Sequence, residues 1–199
     1  MTIHFKKNQD ISLKALGGTS PILVFAIGWE NKTKDGILNR LTGEKHDADL
    51  DLSCVMYDNF NNRIDTVWYA QLASKCGAIR HKGDETIGEK DQDDETITVD
   101  LNHLNENART LFFVISSFSG NNFTQVDDAY WSLFDGPSQN ELGHFNLNPN
   151  DKASAKIVMR LQKTEKDGLT EWRVKALDQE ATGQNIQEIF PELRSLIEA

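Results

Sequence analysis

The distribution of apolar residues along the chain is the feature that most constrains its fold. They alternate with polar residues or form short runs bounded by turn-forming residues, as in segments 22–29, 50–57 and 110–118. A repeat of two residues, interrupted by Gly, Asn, Asp and Pro, is typical of strands whose alternate side chains face a core. The sequence therefore predicts an all-β fold.

Ten segments carry this pattern, and they predict a β-sandwich of two mostly antiparallel sheets, formed by residues 1–199 as a single domain. The predicted strands are 11–14, 22–29, 50–57, 63–69, 96–101, 110–118, 129–134, 141–147, 155–163 and 171–177. A turn at 166–168 predicts a hairpin between the last two strands. The polar segment 30–45 lacks periodicity and predicts a mobile loop.

Helical signals are few. Short helical turns are expected at 102–107 and 123–129, and the clearest helix is the C-terminal stretch 185–198. Its apolar residues are spaced to form one face: Ile186, Ile189, Phe190, Leu193 and Ile197. Pro191 lacks a backbone donor and its ring clashes with the preceding turn, so a broken or capping helix is expected.

The charge balance limits the classes of partner. A formal net charge of −10 repels nucleic-acid phosphates and anionic lipids, and it favours metal cations and basic partners. No apolar run approaches the roughly 20 residues of a bilayer span, and no secretory signal is evident, which predicts a cytoplasmic protein. Cys54 and Cys76 lie in apolar surroundings and are expected to be reduced, buried and inert.

Carboxylates and apolar residues alternate at positions 47–52. If this segment is a strand, Asp47, Asp49 and Asp51 share one face while Leu50 and Leu52 face the core. Neighbouring carboxylates repel one another unless a proton, a cation or an ion pair compensates them. A metal site is one interpretation, and a solvated strand end, slightly favoured for this segment alone, is the other.

A second acidic segment spans residues 82–95 and holds seven acids from Asp84 to Glu95, a stretch in which Lys90 is the single lysine. Calcium takes six to eight oxygen ligands from carboxylates, backbone carbonyls and water, and Gly83 and Gly88 can expose backbone oxygens. The segment does not match an EF-hand. A solvated loop is the alternative, but two acidic clusters in one small all-β chain shift the balance toward metal.

Enzyme motifs are absent from the sequence. It contains no GxSxG, P-loop, GxGxxG or CxxC pattern, and its five histidines lack zinc-ligand spacing. The four tryptophans fall within predicted strands and are expected to pack in the core: Trp29, Trp68, Trp131 and Trp172. These observations favour a non-enzymatic protein.

Several motifs together resemble the bacterial tellurium-resistance TerD family, and the TerZ subgroup most closely. The resemblance spans nearly the whole chain and rests on Asp49-Leu50-Asp51-Leu52-Ser53-Cys54, Ile64-Asp65-Thr66-Val67-Trp68, Cys76-Gly77-Ala78-Ile79, His81, Gly83-Asp84 and Asp93-Asp94-Glu95. Members of that family are calcium-binding β-sandwich proteins of bacterial stress operons. The resemblance therefore implies a cytoplasmic, calcium-binding stress-response protein associated with tellurite resistance.

The resemblance also implies a set of metal ligands. Carried over residue by residue, these are Asp49, Asp51, Asp84, Gly88, Asp91, Asp93, Asp94 and Glu95. Lys90 and Gln92 stand where the family loop usually has glycine, which reduces backbone freedom and puts the second of two expected Ca²⁺ ions in doubt. Other stress-operon proteins are the implied partners, whereas binding to nucleic acid and direct membrane insertion are not expected.

Two other functions fit the same acids. A hydrolase could use them to hold Mg²⁺ or Mn²⁺, but no basic phosphate-binding cluster lies near them in the sequence. A calcium-dependent membrane-binding module would need an exposed apolar or basic loop tip, which is not evident. The leading hypothesis is a non-enzymatic interaction module ordered by calcium.

Overall fold

Two six-stranded sheets pack face to face, which confirms the predicted β-sandwich. The computed structural model describes residues 2–31, 49–83, 95–118, 120, 122–166 and 168–198. Its strands are β1 (Ile3–His4), β2 (Asp10–Ser12), β3 (Ile22–Asn31), β4 (Leu50–Asp58), β5 (Arg63–Val67), β6 (Ile79–His81), β7 (Glu95–Asp100), β8 (Ala108–Ser117), β9 (Val126–Asp135), β10 (Asn140–Asn146), β11 (Ala155–Lys166) and β12 (Leu169–Ala181). Most of the predicted mobile loop 30–45 and of the acidic segment lies outside the described residues.

The sheets are mostly antiparallel, as predicted. The first has the order β1-β10-β9-β3-β7-β6 and the second β2-β12-β11-β8-β4-β5, and the β1–β10 pair is parallel. The first two strands thus lie at the edges of different sheets. β11 and β12 pair up to Lys166↔Leu169, which confirms the predicted hairpin. The sequence pattern missed β1 and β6 because strands of two or three residues are too short to show alternation.

Strand β4 is buried on both faces. Its even-numbered residues, from Leu50 to Met56, lie in the core between the sheets. Val55 and Tyr57 point the other way, into an apolar cluster beneath the C-terminal helix α1 (Ile186–Glu198). The alternation of side chains along a strand therefore places Leu50 and Leu52 in the core, as expected from the sequence.

Helix α1 covers the outer face of the second sheet through Ile186, Ile189 and Leu193. The expectation of a broken helix was wrong, because Pro191 lies inside one continuous helix. A proline there removes a single hydrogen bond, to the carbonyl four residues earlier, and burial of the apolar face outweighs that loss. No helix within the described residues is long and apolar enough to cross a membrane.

The two other predicted helical turns are only partly confirmed. Segment 102–107 forms turns without a helix, and the expected turn at 123–129 shortens to a 3₁₀ turn at Phe123–Gln125. Strand β9 begins directly afterwards at Val126 because that residue and Trp131 are drawn into the core. At the start of β9, local propensity yields to burial.

The two cysteines differ in environment. Cys54 is buried between the sheets, as expected, and burial raises the pKa of its thiol, with a smaller contribution from the charge of Asp65. Cys76 is exposed, so the expectation that it is buried was wrong. It lies in the turn closed by the hydrogen bond from the Gly77 N–H to the Ser74 carbonyl, 2.8 Å.

We expect one thiol per native chain to react with a soluble disulfide reagent near pH 8. Cys76 is accessible, whereas Cys54 is 1% exposed and its thiolate is disfavoured by burial. The release of thiolate, followed by absorbance in buffer and then in guanidinium, should give one equivalent and then two. Two equivalents from the native protein would contradict the burial of Cys54, and a Cys76→Ser variant should remove the native reaction.

Candidate functional site

The first half of strand β4 has an uncovered edge in the described part of the chain. Strand β8 pairs with β4 from Leu50 to Asp58, but β5 pairs with it only from Cys54 to Tyr57. On the β5 side, residues 50–53 therefore have no neighbouring strand among the described residues. Because Leu52 is buried, its backbone groups on this side need other hydrogen-bond partners.

Two side chains from the opposite sheet supply those partners. The Leu52 N–H donates to Glu95 Oε2 at 2.6 Å, and His81 Nε2 lies 3.1 Å from the Leu52 carbonyl oxygen. His81 Nδ1 accepts from the Gly83 N–H at 3.1 Å, which leaves the ring hydrogen on Nε2 to donate. His81 and Glu95 thus take the place of a strand beside Leu52.

The same two residues fix both ends of the acidic segment. His81 ends β6 directly before the segment, and Glu95, the last residue of the segment, begins β7. The side chains are buried, and His81 Nε2 lies 3.4 Å from Glu95 Oε2. His81 and Glu95, on either side of residues 84–94 in the chain, therefore both contact the uncovered edge of β4 at Leu52.

Two acids of the predicted site lie on β4 or just before it. Asp51 is only 4% exposed, and one carboxylate oxygen of Asp51 and one of Asp49 are fully buried. The Asp49 carbonyl accepts from the Phe118 N–H at 3.1 Å, which ties it to the end of β8. By alternation along β4, Asp51 lies on the face opposite Leu52.

The structure brings Asp51 and Glu95 to the same short stretch of β4, but from different sides. Asp51 projects on the outer face of the second sheet, whereas Glu95 reaches Leu52 from the first sheet. No group of three His, Cys, Asp or Glu residues with metal-binding geometry occurs within the described residues. Outside those residues lie the other predicted ligands, Asp84, Gly88, Asp91, Asp93 and Asp94, and also Asp47 of the alternating segment.

Sequence reasoning did not identify the structural role of His81. A single histidine carries no ligand spacing, and β6 is too short to reveal that His81 points inward. The signal was its position, because the histidine directly precedes the acidic segment, and in the structure that position places it beside the backbone of β4.

A second charged cluster was also missed. Lys156 is fully buried in β11, and its ammonium is paired with the carboxylates of Asp151 and Asp178, the latter at 2.5 Å. Phe123 lies beneath it, with the ring centroid 5.7 Å from Nζ. Lysine is almost never fully buried unless it is paired, so these carboxylates are what permit its position.

Comparison with known proteins agrees with these observations. The sequence profile of the TerD domain matches residues 1–192. The chain is 32% identical to tellurium resistance protein TerZ of Serratia marcescens over 98% of both proteins, and 26% identical to stress response protein SCP2 of Bacillus subtilis over 96% of this chain and 98% of that protein. The crystal structure of a homologue of the telluride resistance protein TerD from Streptomyces coelicolor matches with a TM-score of 0.64 at 14% identity, over 83% of this chain and 93% of that one. This last likeness supports the sandwich fold.

Proposed function

Since the chain belongs to the TerD family, which includes tellurium-resistance and stress-response proteins, we propose that it is a non-enzymatic, calcium-binding stress-response protein associated with tellurite resistance. Calcium orders its acidic segment into a surface that other proteins recognise. The observation that carries this proposal is the attachment of both ends of that segment to Leu52, next to Asp51.

The donor chemistry fits calcium. Carboxylate and carbonyl oxygens are the ligands that Ca²⁺ prefers, and it tolerates the irregular geometry that a loop and a strand edge provide. The proposed ligands from β4 are Asp49 and Asp51, whose carboxylates are partly withdrawn from water. The segment would contribute the carboxylates of Asp84, Asp91, Asp93 and Asp94 and the carbonyl of Gly88. One or two ions are proposed, since Lys90 and Gln92 limit the loop backbone.

Glu95 has a different role in this proposal. Its Oε2 already accepts the Leu52 N–H at 2.6 Å, and the side chain is buried between His81 and β4. We therefore assign Glu95 mainly to anchoring the loop, and a ligand role for it would use the other oxygen. The anchor holds the loop beside β4 and reduces the conformational entropy that calcium binding must remove.

Bound calcium should neutralise acidic side chains and connect the acidic segment to β4. The segment and the start of β4 concentrate negative charge in a protein whose net charge is already −10. A divalent cation offsets that repulsion and joins the loop to the strand, so its binding free energy stabilises the native state. The ordered loop is the proposed recognition surface for other stress-operon proteins.

Titration of calcium into chelator-stripped protein tests the proposal. A hundredfold excess over Kd should stabilise the native state by about 2.7 kcal/mol, which raises Tm by roughly 5–10 °C for a chain of this size. The change Asp51→Asn combined with Asp93→Asn should abolish both the binding heat and the Tm shift. A matched control, Glu106→Gln combined with Glu180→Gln, removes two exposed acids elsewhere on the surface and should leave both intact.

Three outcomes would contradict parts of this proposal. An unchanged calcium response in the Asp51/Asp93 variant would refute the ligand assignment, and the absence of any calcium heat would refute calcium binding. Binding of Mg²⁺ or Mn²⁺ in preference to calcium, together with turnover of a phosphate ester, would favour the alternative metal-dependent hydrolase.

A further inference from the structure

A polar pocket of about 370 Å³ lies between strand β5 and the first turns of helix α1. Strand β5 and the turns after it line one side with Arg63, Asp65, Trp68 and Lys75. The helix contributes the other side, through residues that include Phe190. The pocket is large enough for a small organic molecule.

This pocket is lined by two basic residues, Arg63 and Lys75. Neither Arg63 nor Lys75 takes part in an ion pair within the described part of the chain. By contrast, Lys156 and Arg173 are each bound by two carboxylates. In a protein with ten more acids than bases, two such cations lining one pocket indicate a local preference for an anion.

Contact with Phe190 holds the Arg63 guanidinium in a defined orientation. Its central carbon lies 3.7 Å from the centre of the Phe190 ring, within the range of a cation–π contact. This contact uses the face of the guanidinium and leaves its in-plane N–H groups to donate hydrogen bonds. Those N–H groups match the two oxygens of a carboxylate or phosphate.

Asp65 holds the wall of the pocket in place. It is 8% exposed and accepts the backbone N–H of Thr66 at 2.9 Å, the Gln71 side-chain amide at 2.9 Å and the backbone N–H of Lys75 at 2.7 Å. These bonds fix the turn that carries Gln71 and Lys75 relative to β5. These three donors occupy most of the roughly four acceptor positions of the carboxylate, so Asp65 serves as a scaffold for the turn that carries Lys75.

We propose that this pocket binds a small organic anion, with a carboxylate or phosphate group recognised by Arg63 and Lys75 and a planar body packed against Trp68. Trp68 lines the pocket and is half-buried, and it also packs against the apolar cluster beneath α1. Binding would join β5 to α1, because residues of both elements surround the ligand. This site is independent of the proposed calcium site.

Benzoate and phenyl phosphate are suitable probes, followed through the backbone amide resonances of Gln71, Lys75 and Gln187. We expect saturable shifts at these amides with at least one probe, and the stronger binder identifies the preferred anionic group. Arg63→Gln and Lys75→Gln should each weaken binding tenfold or more. Lys14→Gln removes an exposed cation outside the pocket and should bind like the parent protein.

The Arg63→Gln variant could weaken binding by disturbing helix α1, since Arg63 contacts Phe190 of that helix. Lys75 lies in a turn outside α1, so Lys75→Gln tests recognition of the anion without that effect. Binding that is unchanged by Lys75→Gln would overturn the proposed recognition. Each probe is titrated to 20 mM, which is roughly twentyfold above a millimolar Kd. If neither probe gives saturable shifts, the proposal that this pocket binds a small organic anion is refuted. Either failure leaves the calcium titration unaffected, so the two proposals are tested separately.

Discussion

Replacing Lys156 with methionine is expected to lower the free energy of unfolding by about 3–5 kcal/mol at pH 7. The substitution keeps the apolar stem but removes the ammonium that Asp151 and Asp178 share. Their side chains are 12% and 15% exposed, so water screens the remaining like charges poorly. Urea denaturation followed by circular dichroism measures the change through the transition midpoint and slope.

Two further variants separate the ion pairs from the loss of a lysine. Lys163→Met changes a half-buried lysine on the same strand and should cost less than about 1 kcal/mol. The combination of Lys156→Met with Asp151→Asn and Asp178→Asn removes every charge of the cluster and should recover most of the loss. A small effect of Lys156→Met alone would contradict the inference that the cluster is coupled and desolvated.

Replacing Glu95 with alanine is expected to cost about 3 kcal/mol in chelator-containing buffer, which excludes any contribution from calcium. Truncation removes a charge-assisted hydrogen bond, leaves the buried Leu52 N–H without that acceptor and opens a cavity between the sheets. Urea denaturation gives the energy. Hydrogen exchange shows whether this loss of stability arises at β4, since the Leu52 amide should lose its protection from exchange.

Glu95→Gln is the informative companion variant. Its side-chain oxygen can still accept the Leu52 N–H, so it should retain more stability and more protection than Glu95→Ala. Glu171→Ala removes a half-exposed acid that pairs with Arg173 at the surface, and it should cost about 1 kcal/mol or less. Full protection of Leu52 in Glu95→Ala would show that another group covers this edge of β4.

Much of the sandwich follows from local patterns. The ten predicted strands all occur, because their apolar residues either alternate, as in β7, or form a continuous buried run, as in β4 and β8. The assignment of Leu50 and Leu52 to the core and of Asp51 to the other face follows from that repeat alone. Strand ends differ by a few residues, since pairing with neighbours extends strands beyond their apolar centres.

The missed features depend on contacts between residues distant in the chain. The burial of Lys156 requires Asp178 from another strand, and the role of His81 requires the backbone of Leu52 in the other sheet. The continuity of α1 through Pro191 likewise depends on the apolar cluster beneath it. No local pattern contains such partners, so composition and spacing pointed to the acids of the candidate site but not to the contacts of His81 and Glu95 with Leu52.

The placement of β1 and β2 fixes the order in which the chain can complete its fold. Ile3 pairs with Gly143 and Asp10 with Lys175. Strands β1 and β2 therefore pair with strands that follow them by more than a hundred residues in the chain. Contacts of such sequence separation form late, after the intervening chain is ordered. During synthesis on the ribosome, the segment around residues 3–12 therefore stays without its native partners until β10 and β12 have emerged, and its docking adds an edge strand to each sheet.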